Sequence, residues 1–151
     1  MAWALSCPRR GHHGGMDLDK ARDYIRKNHR AVIQTWRSDG HPQMSPVLVG
    51  IDAEGRAIVS TRESAAKAKQ LRRNPDVSLC VMVDEFLGEW VQIEGVAEVI
   101  PMPEAEEGLI EYFRVVSGEH PDWDEFREAM RTQRNVLVRI DIKRAGPDYM
   151  G

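Results

Sequence analysis

Five cations, Arg62, Lys67, Lys69, Arg72 and Arg73, fall in one stretch, STRESAAKAKQLRRNP (Ser60–Pro75), with Glu63 as its only acid. The whole chain carries a net charge of -3, so the cluster does not reflect a basic composition. The β-branched run AIVST precedes it, which reads as a strand handing over to a short helix that Asn74-Pro75 must end. With Ser64 as N-cap, Lys67 falls in the first helical turn. The macrodipole is positive there and free N–H groups point outward, so a cation costs about 0.3–1 kcal/mol unless an anion offsets it. A bound phosphate resolves the conflict, because a helix start beside a lysine is an anion site. Ala65, Ala68 and Leu71 share one face suited to packing on a sheet, Lys67 and Lys69 flank that face, and the small alanines allow close approach of a ligand. The competing reading is a solvated cationic face.

No other residues assemble a reactive pattern. Ser45 has no catalytic partner near it in sequence, His41 belongs to a turn, and His120 and Trp123 beside a helix start are explained by capping and packing. His12 and His13 are flanked by glycines and lack matched ligand spacing. A chain without triad, carboxylate dyad or metal cluster suits chemistry carried by a bound cofactor, with the protein supplying binding, orientation and exclusion of water.

The elements that must position these residues follow from length and pattern. At 151 residues one domain is expected, large enough to bury roughly two-thirds of its unfolded surface without a staple. Charged residues at 30% and hydrophobic ones at 42% are an ordinary globular balance, and the acidic excess excludes a general nucleic-acid binder. Two cysteines, Cys7 and Cys80, do not make a disulfide framework, which points to a cytoplasmic protein. No apolar run approaches membrane-spanning length. Residues 1–15, MAWALSCPRRGHHGG, are expected to be a disordered extension, with the folded domain spanning residues 16–151.

An amphipathic helix is expected from Asp17 to about Asn28, with Leu18, Ala21, Tyr24 and Ile25 at helical spacing. Six strands are expected at RAVIQTW, QMSPVLVGID, AIVST, VSLCVMVD, WVQIEGVAEVI and NVLVRIDIK. Asp39-Gly40 makes the first turn, Pro46 demands a sheet edge or a bulge, and Gly95 marks a bulge or bend in the long fifth strand. The nearly continuous apolar run VSLCVMVD is expected in the sheet interior. Two helices, one reaching about Val116 and one over DWDEFREAMRTQ, lie before the last strand. Short strands with compact turns and helical crossovers indicate an α+β fold, a six-stranded antiparallel barrel whose closure removes exposed edges.

Four motifs occur in order: DGHPQMSPV, VSTRESAAKAKQLRRNPDVSL, EWVQIEGVAEV and SGEHPDWDEFREAM. Together, from Met16 to about Gly146, they make the chain resemble the split β-barrel flavin and deazaflavin oxidoreductases, the pyridoxamine 5'-phosphate oxidase-like superfamily. Within it the chain looks closest to the actinobacterial branch that uses coenzyme F420. The resemblance implies a homodimeric split barrel whose strand-to-helix junction grips the cofactor phosphate, with Lys67 as main ligand. It implies that Ser60, Thr61 and Arg62 lie beneath the ribityl-like chain, that Gln70 assists one turn on, and that Met44, Ser45, Pro46 and Val47 border the ring. Trp90 matches an aromatic position beside the ring pocket, contributed by the second subunit; a core or interface tryptophan is the competing reading. One departure is Ala65, where many relatives carry a second basic residue; Arg62 and Lys69 are the substitutes at hand.

The resemblance thus implies an F420H2-dependent reductase that passes a hydride to a conjugated, electrophilic small molecule. The alternatives are a flavoprotein using FMN on the same fold and a non-catalytic F420 carrier. No nucleic-acid or membrane partner is expected.

Overall fold

The computed structural model of the protein describes residues 16–150. The expectations placed on residues 1–15, including Cys7, His12 and His13, lie outside the described residues. Helix α1 (Leu18–Lys27) starts at Asp17, whose carboxylate accepts from the N–H groups of Asp19 at 2.7 Å and Lys20 at 3.3 Å. The strands are β1 (Arg30–Trp36), β2 (Pro42–Leu48), β3 (Gly50–Ile51), β4 (Ala57–Arg62), β5 (Asp76–Met82), β6 (Trp90–Ile100) and β7 (Asn135–Asp148). Helix α2 (Ala66–Arg73) joins β4 to β5, and α3 (Glu106–Ser117) and α4 (Trp123–Thr132) lie between β6 and β7.

The seven strands among the described residues form one antiparallel sheet in the order β2-β1-β5-β6-β7-β4-β3. The expected count was six, because QMSPVLVGID reads as one strand. The chain instead leaves β1 after Leu48 and joins β4 from Gly50, with the buried Val49 between them donating its N–H to the His29 carbonyl at 2.8 Å. β2 and β3 are opposite edges of the sheet and yet only one residue apart in sequence. The sheet must therefore curl back on itself, and that curl is the split barrel.

Pro46 sits on the edge strand β2, where no neighbour needs its missing N–H. The run VSLCVMVD supplies β5, an interior strand between β1 and β6. At Gly95 the β6–β7 register shifts, and a Cβ there would lie 2.3 Å from the Asp141 carbonyl oxygen, so glycine lets the bulge close.

Alternation along the strands sorts the apolar residues into two cores. Ile33, Leu79, Val81, Ile93, Val59 and Val138 point into the barrel, where Ala21 and Ile25 of α1 join them. Ile58 and Leu137, one residue off on β4 and β7, point outward and are covered by Leu109 and Ile110 of α3 and Phe126 of α4. This explains why AIV in β4 and VLV in β7 are apolar on both faces.

Candidate functional site

The basic segment does form a strand-to-helix junction, with one difference at its hinge. The Ala65 N–H donates to the Arg62 carbonyl at 3.0 Å, closing a turn that includes Ser64. The helix therefore starts one residue later than expected, with extended Ala65 as N-cap and no side-chain cap bond. Lys67 remains in the first turn as the second helical residue. Ala68 and Leu71 are buried, leaving Lys67 half-buried and Lys69 exposed on either side.

Charge is distributed unevenly across this junction. Arg72 holds Glu63 through two hydrogen bonds, one of them Nη2 to Oε2 at 2.9 Å. These bonds hold the Glu63 carboxyl below the usual carboxylate range and raise the Arg72 guanidinium. The Glu63 backbone is fixed too, its N–H donating to the Arg134 carbonyl at 2.9 Å. Arg73 donates to the Trp36 carbonyl at 3.3 Å. Among the described residues Arg62, Lys67 and Lys69 form no ion pair. Three cations without acidic partners thus lie between the end of β4 and the first half of α2, a helix whose first amides lack a side-chain acceptor.

Gln70 faces inward. The Thr35 hydroxyl donates to its Oε1 at 2.5 Å, and its Nε2 donates to Gln43 Oε1 at 2.7 Å. Gln70 is 7% exposed and Thr35 1%, so this is a buried strut tying α2 to β1 and to the edge strand β2. Both ends of the Gln70 amide expected to assist a cofactor are engaged within the chain. Thr35 and Gln43 were not legible as site residues, because their partner is 35 and 27 positions away.

On β2 the alternation separates Met44 and Pro46, both exposed, from Ser45 and Val47, both half-buried. Gln43 and the strut place this edge beside the middle of α2. On β4 the trio divides in the same way. Ser60 and Arg62 share the outward face of Ile58, and Asn135 Nδ2 donates to the Ser60 hydroxyl at 3.1 Å; Thr61 shares the inward face of Val59.

Trp90 stands apart from this group. It begins β6 in the row Leu48–Arg30–Met82–Trp90. Gln43 lies five residues back along β2 from Leu48, about 17 Å at the usual strand rise. Within one chain, then, the Gln43–Gln70 bond ties the edge strand β2 to α2, and Trp90 lies at the other end of the sheet.

The other chemical candidates behave as expected from sequence. His41 is exposed in its turn, beside Asp39 at 3.2 Å. His120 Nδ1 accepts from the Asp122 N–H at 2.9 Å, and its ring packs among Phe113, Trp123 and Phe126. Cys80 is a free thiol pushed up by burial. Among the described residues no helix is long and apolar enough to cross a membrane.

A curled antiparallel sheet of this order is a split barrel, and the chain belongs to the pyridoxamine 5'-phosphate oxidase family, whose sequence profile matches residues 18–146. That family includes oxidoreductases. Among solved structures, a conserved hypothetical protein from Mycobacterium tuberculosis is similar at 24% identity and TM-score 0.70, over 88% of this chain and 85% of that one. An F420 reductase is similar at 16% identity and TM-score 0.63, over 83% of this chain and 94% of that one. A protein from Listeria innocua described as a candidate pyridoxamine 5'-phosphate oxidase is similar at 16% identity and TM-score 0.62, over 85% and 95%. At these identities the likeness establishes the fold.

Proposed function

We propose that the protein is an F420H2-dependent oxidoreductase acting on a conjugated, electrophilic small molecule. The observation that carries this reading is the uncapped start of α2, with Arg62, Lys67 and Lys69 close to it along the chain and without acidic partners. That arrangement fits a phosphate-bearing cofactor, because the amides and lysines supply donors and the sole local acid is held by Arg72. Reduced deazaflavin supplies a hydride to the acceptor when bound. Lys67 anchors the phosphate, Lys69 and Arg62 extend the positive surface in place of a basic residue at Ala65, and Thr61 lies under the chain. Met44 and Pro46 on the exposed edge of β2 border the ring. FMN is the second reading, favoured by the family match itself.

Competition between F420 and FMN, followed by ring fluorescence, decides between the two cofactors; preferential flavin binding or a yellow protein as isolated overturns the first. Lys67→Ala is expected to weaken cofactor binding about tenfold to a hundredfold through loss of a charge-assisted hydrogen bond. Parent-like affinity in that variant would return the cations to a solvated face. Reduced cofactor incubated anaerobically with quinones, tetrapyrroles and unsaturated lactones should be oxidised faster than in a protein-free control. Tight binding with no acceleration on any of them would instead indicate a carrier.

A further inference from the structure

The buried end of the Thr35–Gln70–Gln43 strut fixes the direction of the whole chain of bonds. Thr35 is 1% exposed, and Gln70 is the only hydrogen-bond partner of its hydroxyl among the described residues. A buried hydroxyl must place its single proton on an acceptor, so Gln70 turns Oε1 toward Thr35. Only Nε2 of that amide is then left for Gln43, and it donates to Gln43 Oε1 at 2.7 Å. Gln43 is thereby held with its oxygen toward the strut and its Nε2 away from it.

This last amide nitrogen has no partner. Gln43 Nε2 donates to no group among the described residues, yet it is not sealed from solvent. The buried side-chain atoms without a partner are others, Tyr24 Oη, Arg127 Nε, Asn135 Oδ1 and Arg139 Nε. Gln43 is half-buried on β2, a strand at the edge of the sheet, and shares the face of Ser45 and Val47. Its free N–H groups end a run of hydrogen bonds in which each polarises the next, and that strengthens the terminal donor.

The chemistry of the donor narrows what it receives. An amide N–H is neutral and suits a carbonyl oxygen, whereas a phosphate is better met by the cations near the start of α2. We propose that Gln43 is a further binding residue whose Nε2 donates to a carbonyl oxygen on the edge of the bound ring. F420 and FMN both carry such an edge, so the contact serves either one. Thr35 and Gln70 are positioning residues, which act by setting which end of the Gln43 amide faces the ring. This role rests on the cofactor reading above, with the ring lying along β2.

The test uses the full chain and titrates F420 and FMN, followed by ring fluorescence, with melting temperatures for each variant. Gln43→Met removes the donor and should weaken binding about threefold to tenfold. Gln43→Glu keeps an acceptor for Gln70 Nε2 and should melt close to the parent. It should nevertheless lose at least as much affinity, because a carboxylate then faces the ring carbonyl. A purely structural Gln43 gives the reverse order, with Gln43→Glu binding like the parent and Gln43→Met poorly. Thr35→Val, which frees the Gln70 amide to turn over, should weaken binding several-fold with Gln43 untouched, and Thr35→Ser should restore it. Parent-like affinity in Gln43→Glu or Gln43→Met, with cofactor bound by the parent, overturns this role alone. Failure of the parent to bind either cofactor overturns the cofactor reading and this role together.

Discussion

Arg72 grips Glu63 across the turn that separates β4 from α2, with Nη2 and Oε2 2.9 Å apart, and so removes the only local acid from competition for the cations around it. The pair has an electrostatic consequence beyond its own strength. Arg72→Ala should release a carboxylate beside Lys67 and weaken phosphate or cofactor binding several-fold, although Arg72 is not itself proposed as a ligand. Glu63→Gln in the same background should restore affinity. Titrations of the parent and of the single and double variants check this; unchanged affinity in Arg72→Ala would show that Glu63 does not reach the site's field.

The same pair sets an acid dependence with a definite sign. The Glu63 carboxyl is depressed in the folded state, chiefly by the hydrogen bonds from Arg72. Its contribution is complete above the ordinary carboxylate range and is lost as pH falls through the lowered folded value. With both side chains about a third exposed, solvent screening limits the pair to about 0.5 kcal/mol. Glu63→Gln should therefore melt slightly below the parent at neutral pH, and the gap should close on acidification. A gap that widens toward low pH would contradict the assignment.

Arg73 is the control for Lys67 on the same helix. It lies in the last turn, favourable to a cation, and bonds the Trp36 carbonyl at 3.3 Å. Arg73→Ala should cost a few tenths of a kcal/mol in stability and leave cofactor affinity nearly unchanged. Lys67→Ala should do the opposite, holding or raising the stability of the cofactor-free protein while losing affinity. Melting temperatures and dissociation constants for the two variants must diverge in this crossed fashion.

The strut Thr35–Gln70–Gln43 should behave as one unit. Thr35→Val keeps the shape but leaves Gln70 Oε1 buried without its donor, a cost of about 1–3 kcal/mol. Gln70→Leu strands the Thr35 hydroxyl in the same way. The double variant Thr35→Val/Gln70→Leu should cost clearly less than the two single losses added, because both partners are then apolar. Urea unfolding of the three variants measures the coupling, and simple additivity would deny that the bonds form a chain.

What was legible in the sequence was local. Asp39-Gly40 makes its turn with Gly40 at φ +85°, Pro46 lies on an edge because it lacks an N–H, and Gly95 sits at the bulge because it lacks a Cβ. The cationic junction was legible for the same reason, since strand, turn and helix follow one another along the chain. The break at Val49 was not, because it depends on Gly50 finding Ile58 and Ile51 finding Ala57. Nor was the inward turn of Gln70, or the opposite facing of Ser60 and Thr61 about two cores. Neighbouring residues on a strand look alike in sequence until both faces of the sheet are covered, and here both are.

The separation of Trp90 from Lys67 leads to the last prediction. In one chain Trp90 occupies the far end of the sheet, so its place beside the proposed ring pocket requires a second copy. Exposed apolar side chains are available to cover, with Phe86 95% and Leu87 89% exposed on the loop just before Trp90. We expect a homodimer by light scattering at micromolar concentration, with each pocket combining Lys67 of one protomer and Trp90 of its partner. Mixing tests the arrangement directly. Lys67→Ala and Trp90→Ala should each bind cofactor poorly as homodimers. After unfolding and refolding together, mixed dimers place both defects in one pocket and leave the other intact, so roughly a quarter of all sites should regain parent affinity, as expected for random pairing in a symmetric dimer. If Trp90 served the pocket of its own chain, every site would keep one defect and mixing would restore none.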